Sequence, residues 1–169
     1  MKILSTIATL LMAYSFGVAQ NTDEEAIKSV IQTETISFYH CDGSTWEKSM
    51  LPVEHQSWVV TNFNDPGSAA TGKGLKFINN LKNYLNSPGC KTSEPNIQYS
   101  DWNIQIRGMV AWAAYKERST MVDGTEIDAY NLKILEKQDG QWKIAATSSV
   151  WDFNKSSKPW NPKAGSNKN

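Results

Sequence analysis

The sequence predicts an α+β fold in which a curved antiparallel sheet packs around an N-terminal helix, with two further helices. Apolar residues recur at helical spacing after Asp23, polar–apolar alternation begins near Asn96, and Asp139-Gly140 separates two β-rich runs. An Asp-Gly dipeptide readily adopts the positive φ angles of a tight hairpin turn. Helices that precede a run of strands, rather than alternating with it, are typical of this class.

The first helix is predicted from Asp23 to about Cys41. Thr22 or Asp23 can cap its N-terminus, and the next two residues are glutamates, which the helix dipole favours there. One face of this helix carries an apolar stripe made of Ile27, Val30, Ile31 and Phe38. The stripe predicts that the helix packs against the sheet.

Glu34 is a candidate site residue because it falls within this apolar stripe, at about 100° per residue. A carboxylate among apolar residues is costly to bury unless it is paired or lines a wet cavity. Burial would raise its pKa, which suits general acid–base chemistry. The alternative is a structural glutamate, hydrogen-bonded to a Trp, Tyr or Arg inside the fold.

In the middle of the chain the sequence predicts a short helix, a strand and a third, longer helix. Asp42-Gly43-Ser44 breaks the first helix, and a short second helix follows from Thr45 to about Met50. Residues 55–63 have strand character, whereas residues 64–72 resemble a loop. Lys73 to Asn86 is predicted as the third helix, with an apolar residue on one face of each turn.

Four strands in antiparallel succession are predicted after Asn96. Residues 102–106 alternate between apolar and polar side chains, so one face is buried and one is polar. Arg107-Gly108 then turns the chain into a strand over residues 109–118. Another turn surrounds Asp123-Gly124, and the hairpin from Glu126 to Trp151 completes the sheet.

Residues 1–19 are predicted to be a secretory signal peptide, cleaved near Ala19. Lys2 precedes a short apolar run that ends in small residues. The run is short for a bilayer and contains hydroxyl side chains, so no membrane anchor is expected. The mature protein is expected to be periplasmic or secreted. It is predicted to form one domain, residues 20–153, followed by a disordered tail, residues 154–169.

Charge and cysteine content exclude several classes of partner. The chain has 17 basic and 17 acidic residues without a basic cluster, so no nucleic-acid partner is expected. Cys41 and Cys90 are the only cysteines, and after export they either form a disulfide or remain separate thiols. The cysteines and histidines show no zinc-site spacing, so neither a metal nor a cofactor is predicted.

His55 and several tryptophans are further candidate site residues. His55 starts a strand after a helix that Pro52 ends, and it is either a proton carrier or a surface histidine. Tryptophans can fill the core or line a pocket for a flat or apolar ligand. The candidate ligand-binding tryptophans are Trp46, Trp58, Trp102, Trp112 and Trp151.

Residues 23–153 resemble nuclear transport factor 2-like domains of the SnoaL-like or ketosteroid-isomerase-like branch. The resemblance rests on EEAIKSVIQTETISFY, on Thr71-Gly72 before the third helix, on IRGMVAW and on LEKQDGQWKIAATSSVW. It implies a cone-shaped fold with a pocket between the helices and the sheet, and often a homodimer formed through the sheet. Members include isomerases, dehydratases, hydrolases and domains that only bind or assemble.

The sequence departs from the enzymes of this superfamily. The isomerase branch uses a tyrosine inside the first helix, but the inward position here is Glu34, and Tyr39 lies off the stripe. The epoxide-hydrolase branch needs an Asp-Arg-Asp arrangement, which Arg107 with Asp101 and Asp128 matches only in part. Neither mechanism carries over residue by residue.

Three functional hypotheses remain open. The first is an exported domain that binds a small, largely apolar ligand or a partner in the pocket. The second is an isomerase, dehydratase or hydrolase in which Glu34 is the general base and His55, or a Trp or Tyr, is a donor. The third is an assembly module that dimerises through the outer sheet face. The sequence does not decide whether the protein is an enzyme.

Overall fold

A computed structural model describes residues 22–63 and 65–152, which form three helices and one six-stranded sheet. The helices are α1 (residues 22–39), α2 (Gly43–Ser49) and α3 (Gly74–Leu85). The strands are β1 (Ser57–Asn62), β2 (Asp65–Lys73), β3 (Asn96–Arg107), β4 (Val110–Thr120), β5 (Glu126–Gln138) and β6 (Gln141–Asp152). The predicted signal peptide and tail lie outside the described residues. No helix within the described ranges is long and apolar enough to cross a membrane.

The strand order is β2-β1-β6-β5-β4-β3, and the sheet is curved and does not close. The α+β class is therefore confirmed, but the sheet is mixed rather than wholly antiparallel. Strand β1 runs parallel to β6, whereas every other neighbouring pair is antiparallel. A parallel pair needs a long crossover connection, and here α3 and four strands supply it.

The core lies between α1 and the concave face of the sheet. Ile27 and Ile31 of α1 are fully buried, as the helical stripe predicts. They belong to one cluster with Trp46 of α2, Ile78 of α3 and Leu135 of β5. The helices and the sheet thus share a single core, and α1 lies at its centre.

The β5–β6 hairpin confirms the turn predicted at Asp139-Gly140. Both residues have positive φ, 51° and 78°, and Gln138 pairs with Gln141 across the turn. Two positive φ angles match the right-handed twist of the flanking strands. Next to the turn, the Trp142 indole donates to Asp23 Oδ1 at 3.0 Å, which fixes the hairpin against the start of α1.

Two elements differ from their predictions. Helix α2 begins at Gly43 rather than Thr45, because Asp42 is its N-cap and accepts from the Thr45 amide at 2.9 Å. Residues 65–72, predicted as a loop, form the edge strand β2 together with Lys73, which is predicted as the start of the third helix. Val60 pairs with Ala70 there, so the pairing with β1 determines the conformation of this small-residue segment.

A disulfide joins Cys41, just after α1, to Cys90 in the segment after α3, with 5.9 Å between their Cα atoms. Cys41 has a φ of 55°, which ends the helix. The Gly43 amide also donates to Asn86 Oδ1 at 2.9 Å, so the disulfide and this hydrogen bond hold the same two segments together. The ends of α1 and α3 are therefore fixed to each other at one end of the fold.

Candidate functional site

A cavity of about 60 Å³ lies between the helices and the concave face of the sheet. Most of the residues that line it fall into two groups by burial, and the half-buried polar residues Tyr39 and Glu117 complete the lining. The half-buried apolar residues, which we call the mouth, are Phe38, Trp58, Val60, Leu81 and Trp151. The buried residues, which we call the floor, are Glu34, Thr35, Trp46, Tyr115, Asn131, Lys133, Thr147 and Ser149.

Glu34 and Lys133 form an ion pair in the floor. Lys133 Nζ donates to Glu34 Oε2 at 2.7 Å, and the two side chains are only 4% and 9% exposed. The Trp46 indole donates to the other carboxylate oxygen, Oε1, at 3.2 Å. Both oxygens of Glu34 therefore have partners, and the buried negative charge is balanced by a buried positive one.

Glu117 is a second carboxyl group beside the cavity. Burial raises its pKa to about 7, because the charged form loses water; Lys133 opposes the shift and Glu34 adds to it. The Ser119 hydroxyl donates to Glu117 Oε1 at 3.2 Å, and Thr35 Oγ1 lies 3.5 Å from Oε2. Near neutral pH this carboxyl group can therefore gain or lose a proton while it stays in place.

Three buried polar atoms in the floor have no hydrogen-bond partner among the described residues: Tyr115 Oη, Asn131 Nδ2 and Thr147 Oγ1. The Asn131 side chain is held in place because its Oδ1 accepts from the Ser149 hydroxyl. Buried polar atoms are costly to leave unpaired, so water or a ligand has to satisfy them. All three belong to residues that line the cavity.

The aromatic wall at the mouth is braced by Phe77 of α3. The Trp58 ring stacks on Phe77, with 5.5 Å between centroids, and Trp46 meets the same ring edge-on at 6.3 Å. Phe77 lies directly on the backbone of β2 at Gly72, where a Cβ atom would come within 2.0 Å of the ring. A glycine is therefore required at this position if Phe77 is to support Trp58.

The structure brings some of the predicted site residues to the cavity and places others elsewhere. Glu34, Trp46, Trp58 and Trp151 line the cavity. His55 does not; its side chain is 66% exposed, with Nε2 3.2 Å from Glu136 Oε1. Glu34 and His55 are thus not brought together. The other two candidate tryptophans are Trp102, which stacks on Tyr115 outside the cavity lining, and Trp112, which is exposed.

Lys133 and Glu117 are site residues that the sequence reasoning missed. On β4 the two-residue period places Glu117 on the same face as Ala113 and Tyr115, both buried. This period is a usable signal. On β5 it misleads, because the outward-facing residues there, such as Leu132, are more apolar than Lys133. Among the described residues, no cluster of His, Cys, Asp or Glu could hold a metal ion.

No protein-family model matches the sequence, and no curated protein does. The fold is similar to that of a nuclear transport factor 2-like protein of unknown function from Methylobacillus flagellatus KT, which is 20% identical. The TM-score is 0.55, and the alignment covers 77% of this chain and 92% of that one. A second match is a Nostoc punctiforme PCC 73102 protein of unknown function with a cystatin-like fold (12% identity, TM-score 0.60, coverage 79% and 93%).

A third match is a nuclear transport factor 2-like protein of unknown function from Shewanella baltica OS155. It is 14% identical, with a TM-score of 0.54, and the alignment covers 77% of this chain and 94% of that one. These likenesses establish a nuclear transport factor 2-like fold, as the sequence resemblance implies. A shared fold at this level of identity does not transfer an activity.

Proposed function

We propose that this chain is an exported domain that binds a small, largely apolar ligand in the cavity between its helices and its curved sheet. The observation that carries the proposal is the contrast between the apolar mouth and a floor with three unpartnered buried polar atoms. A domain that needed only a packed core would not retain such atoms, since each costs roughly 1–3 kcal/mol when it is left unpaired. A ligand with an apolar body and a polar end would satisfy both regions.

The proposal includes export to the periplasm or the medium. The Cys41–Cys90 disulfide supports it, because disulfides persist in oxidising compartments and are rare in the cytosol. The signal-peptide pattern of residues 1–19 points to the same compartment.

Blocking the mouth should abolish ligand binding. Val60 lines the mouth, so the larger side chain in Val60→Trp should fill it. Val59→Trp is the control, because the side chain of Val59 lies on the opposite face of β1. A fragment library is screened by thermal shift, and hits are followed through the indole N–H resonance of Trp46. Binding should be lost in Val60→Trp and kept in Val59→Trp. Equal binding by both variants, or no hit with the unmodified protein, would count against the proposal.

Within this cavity, Glu117 is better suited than Glu34 to proton transfer. Both oxygens of Glu34 already accept from Lys133 and Trp46, so a further proton would disrupt a buried ion pair. Glu117 has a pKa raised to about 7 by burial. If the bound molecule is a substrate, we propose Glu117 as the acid–base group and Glu34 as a positioning residue.

We also propose that the protein forms a homodimer through the outer face of the sheet. This face carries an apolar patch, which we call the outer patch, made of Val110, Trp112, Tyr130, Leu132 and Ile134. Trp112 and Ile134 are direct cross-strand neighbours, so the patch is continuous over β4 and β5. Clustered exposed apolar residues mark interaction surfaces.

Introducing a charge into the outer patch should separate the dimer. Ile134→Lys should give the monomer mass in light scattering or sedimentation, while the cavity still binds its ligands. The matched control is Val122→Lys, because Val122 is 85% exposed at the β4–β5 turn, away from the patch. A protein that is monomeric at high concentration before any substitution would exclude the dimer.

A further inference from the structure

We propose that the ligand enters the floor with an uncharged head group that accepts hydrogen bonds, such as a carbonyl, while its apolar body stays at the mouth. This inference rests on the proposed ligand-binding function and specifies the chemistry of the ligand. Three independent features of the cavity carry it: the unused donors in the floor, the balance of buried charge, and the size of the cavity.

The unused hydrogen-bonding capacity of the floor includes N–H groups that can only donate. The Asn131 amide nitrogen has two N–H groups without a partner, and the hydroxyls of Tyr115 and Thr147 have none either. The carboxylate oxygens of Glu34 and Glu117 already accept hydrogen bonds from protein side chains. An amide N–H can only donate, so the ligand has to supply an acceptor opposite Asn131.

The buried charges favour an uncharged head group. Glu34 and Lys133 neutralise each other, and an anionic ligand would add a negative charge beside Glu34 and Glu117. Its only cationic partner in the lining would be Lys133, which Glu34 already holds at 2.7 Å. A cationic ligand has no acceptor to offer to Asn131 and would lie close to Lys133. An anionic head group would be buried without a free partner, and a cationic one could pair only with Glu117 and would leave the Asn131 donors unsatisfied, which is unfavourable.

The volume of the cavity limits which part of the ligand can enter it. The cavity volume of about 60 Å³ is small beside the roughly 300–1,000 Å³ of pockets for drug-sized ligands, so the cavity holds the head group and not the whole of such a ligand. The rest of the ligand remains at the mouth, between Trp58, Leu81 and Trp151. Because Phe77 stacks on the far side of Trp58, the indole offers a fixed flat surface to that body.

Three probes with the same phenyl body test the charge of the head group: acetophenone, benzoate and benzylamine. Acetophenone and benzoate have nearly the same shape, so a difference between them reports charge alone. Each is titrated into ¹⁵N-labelled protein at pH 7.5, and the Trp46 indole resonance is followed. We expect acetophenone to bind at least tenfold more tightly than either charged probe. Benzoate binding as tightly as acetophenone would overturn the inference and leave the proposed function intact.

A pair of asparagine substitutions tests the donor. Asn131→Asp keeps the acceptor for Ser149 and removes the N–H donors, so acetophenone affinity should fall roughly tenfold or more. Asn103→Asp, at an exposed position on β3, should leave it unchanged. Thr147→Val removes one hydroxyl at constant shape and should weaken binding even if Asn131→Asp fails to fold.

Unchanged affinity in both floor variants would overturn the assignment of the head group. So would a fragment hit that binds the floor and has no acceptor. If none of the probes and no library fragment moves the Trp46 resonance, the proposed function itself fails.

Discussion

Glu117 is the residue whose protonation should change the stability of the fold near neutral pH. Its pKa is raised to about 7, first by burial, from an ordinary value near 4.5. The ionisable groups around it are Glu34 and Tyr39 from α1, Tyr99 from β3, Tyr115 from β4 and Lys133 from β5. Burial raises the pKa of all three tyrosines, so they stay uncharged below pH 8.

The sign of the effect follows from proton binding. Between about pH 4.5 and pH 7 the folded state holds the Glu117 proton more tightly than the unfolded state does, so stability falls as the pH rises. The loss should be roughly 1–3 kcal/mol, less than the full pKa difference implies, because Glu117 is only half-buried. Above pH 7 this contribution stays constant.

Glu117→Gln should therefore be more stable relative to the unmodified protein at pH 8 than at pH 5. Urea unfolding at a series of pH values measures the difference, which should grow by roughly 1–3 kcal/mol over this range. Glu94→Gln, at an exposed position, is the control and should give a constant difference. A constant difference for Glu117→Gln as well would mean that Glu117 titrates as an ordinary surface carboxylate.

The Glu34–Lys133 pair should be destabilised more by removal of one partner than by removal of both. Glu34→Gln or Lys133→Met leaves a buried charge unpaired, at a cost of about 3–5 kcal/mol. The loss of stability in the double variant Glu34→Gln/Lys133→Met should be smaller than the sum of the losses in the two single variants, by roughly 0.5–3 kcal/mol. Thermal and urea unfolding of the four proteins gives this coupling. Strictly additive effects would show that the pair is not coupled.

The residues of this pair also show what a single sequence can predict. Glu34 is predictable because helical phase depends only on its own helix, and the stripe around it is unambiguous. Lys133 is not predictable in the same way, because the face of a strand depends on its register with its neighbours. On β5 the apolar Tyr130, Leu132 and Ile134 point outward, and Asn131 and Lys133 point inward.

At the scale of elements, the disulfide should contribute much of the stability of the α1–α3 end. Cys41 and Cys90 are 49 residues apart, and closing such a loop is expected to stabilise the fold by about 4 kcal/mol on the chain-entropy model. Urea unfolding with and without a reductant measures the change. The double variant Cys41→Ser/Cys90→Ser is the control, and its stability should not respond to reductant. An unmodified protein equally stable in both conditions, or with two titratable thiols, would contradict the bridge.

Elements with local determinants are the ones that the sequence predicts correctly. The β5–β6 hairpin depends on two turn residues and the runs beside them, and Gly74–Leu85 depends on its own apolar stripe. Strand β2 is different, because DPGSAATGK contains the residues of a turn and few that favour strands. Its conformation comes from the hydrogen bonds to β1, which no local pattern contains.

At the scale of the whole molecule, the sheet separates two surfaces with different chemistry. Its concave face carries the ion pair and the unpartnered donors of the floor, and its convex face carries the outer patch. Because successive residues of a strand point to opposite faces, neighbours such as Lys133 and Ile134 serve different surfaces. Substitutions at adjacent residues of one strand can therefore alter ligand binding and self-association separately.

The parallel pairing of β1 with β6 has a consequence for the order in which the protein is made. Trp58, at the mouth of the cavity, belongs to β1 and lies opposite Thr147 of β6, the last strand that the structure describes. Such distant pairings form late, because the chain between them must first be ordered. A nascent or partly translocated chain has β1 without its partner strand. Ligand binding is thus a property of the completed chain, and a chain shortened before β6 would lose both the cavity and the anchor for β1 and β2.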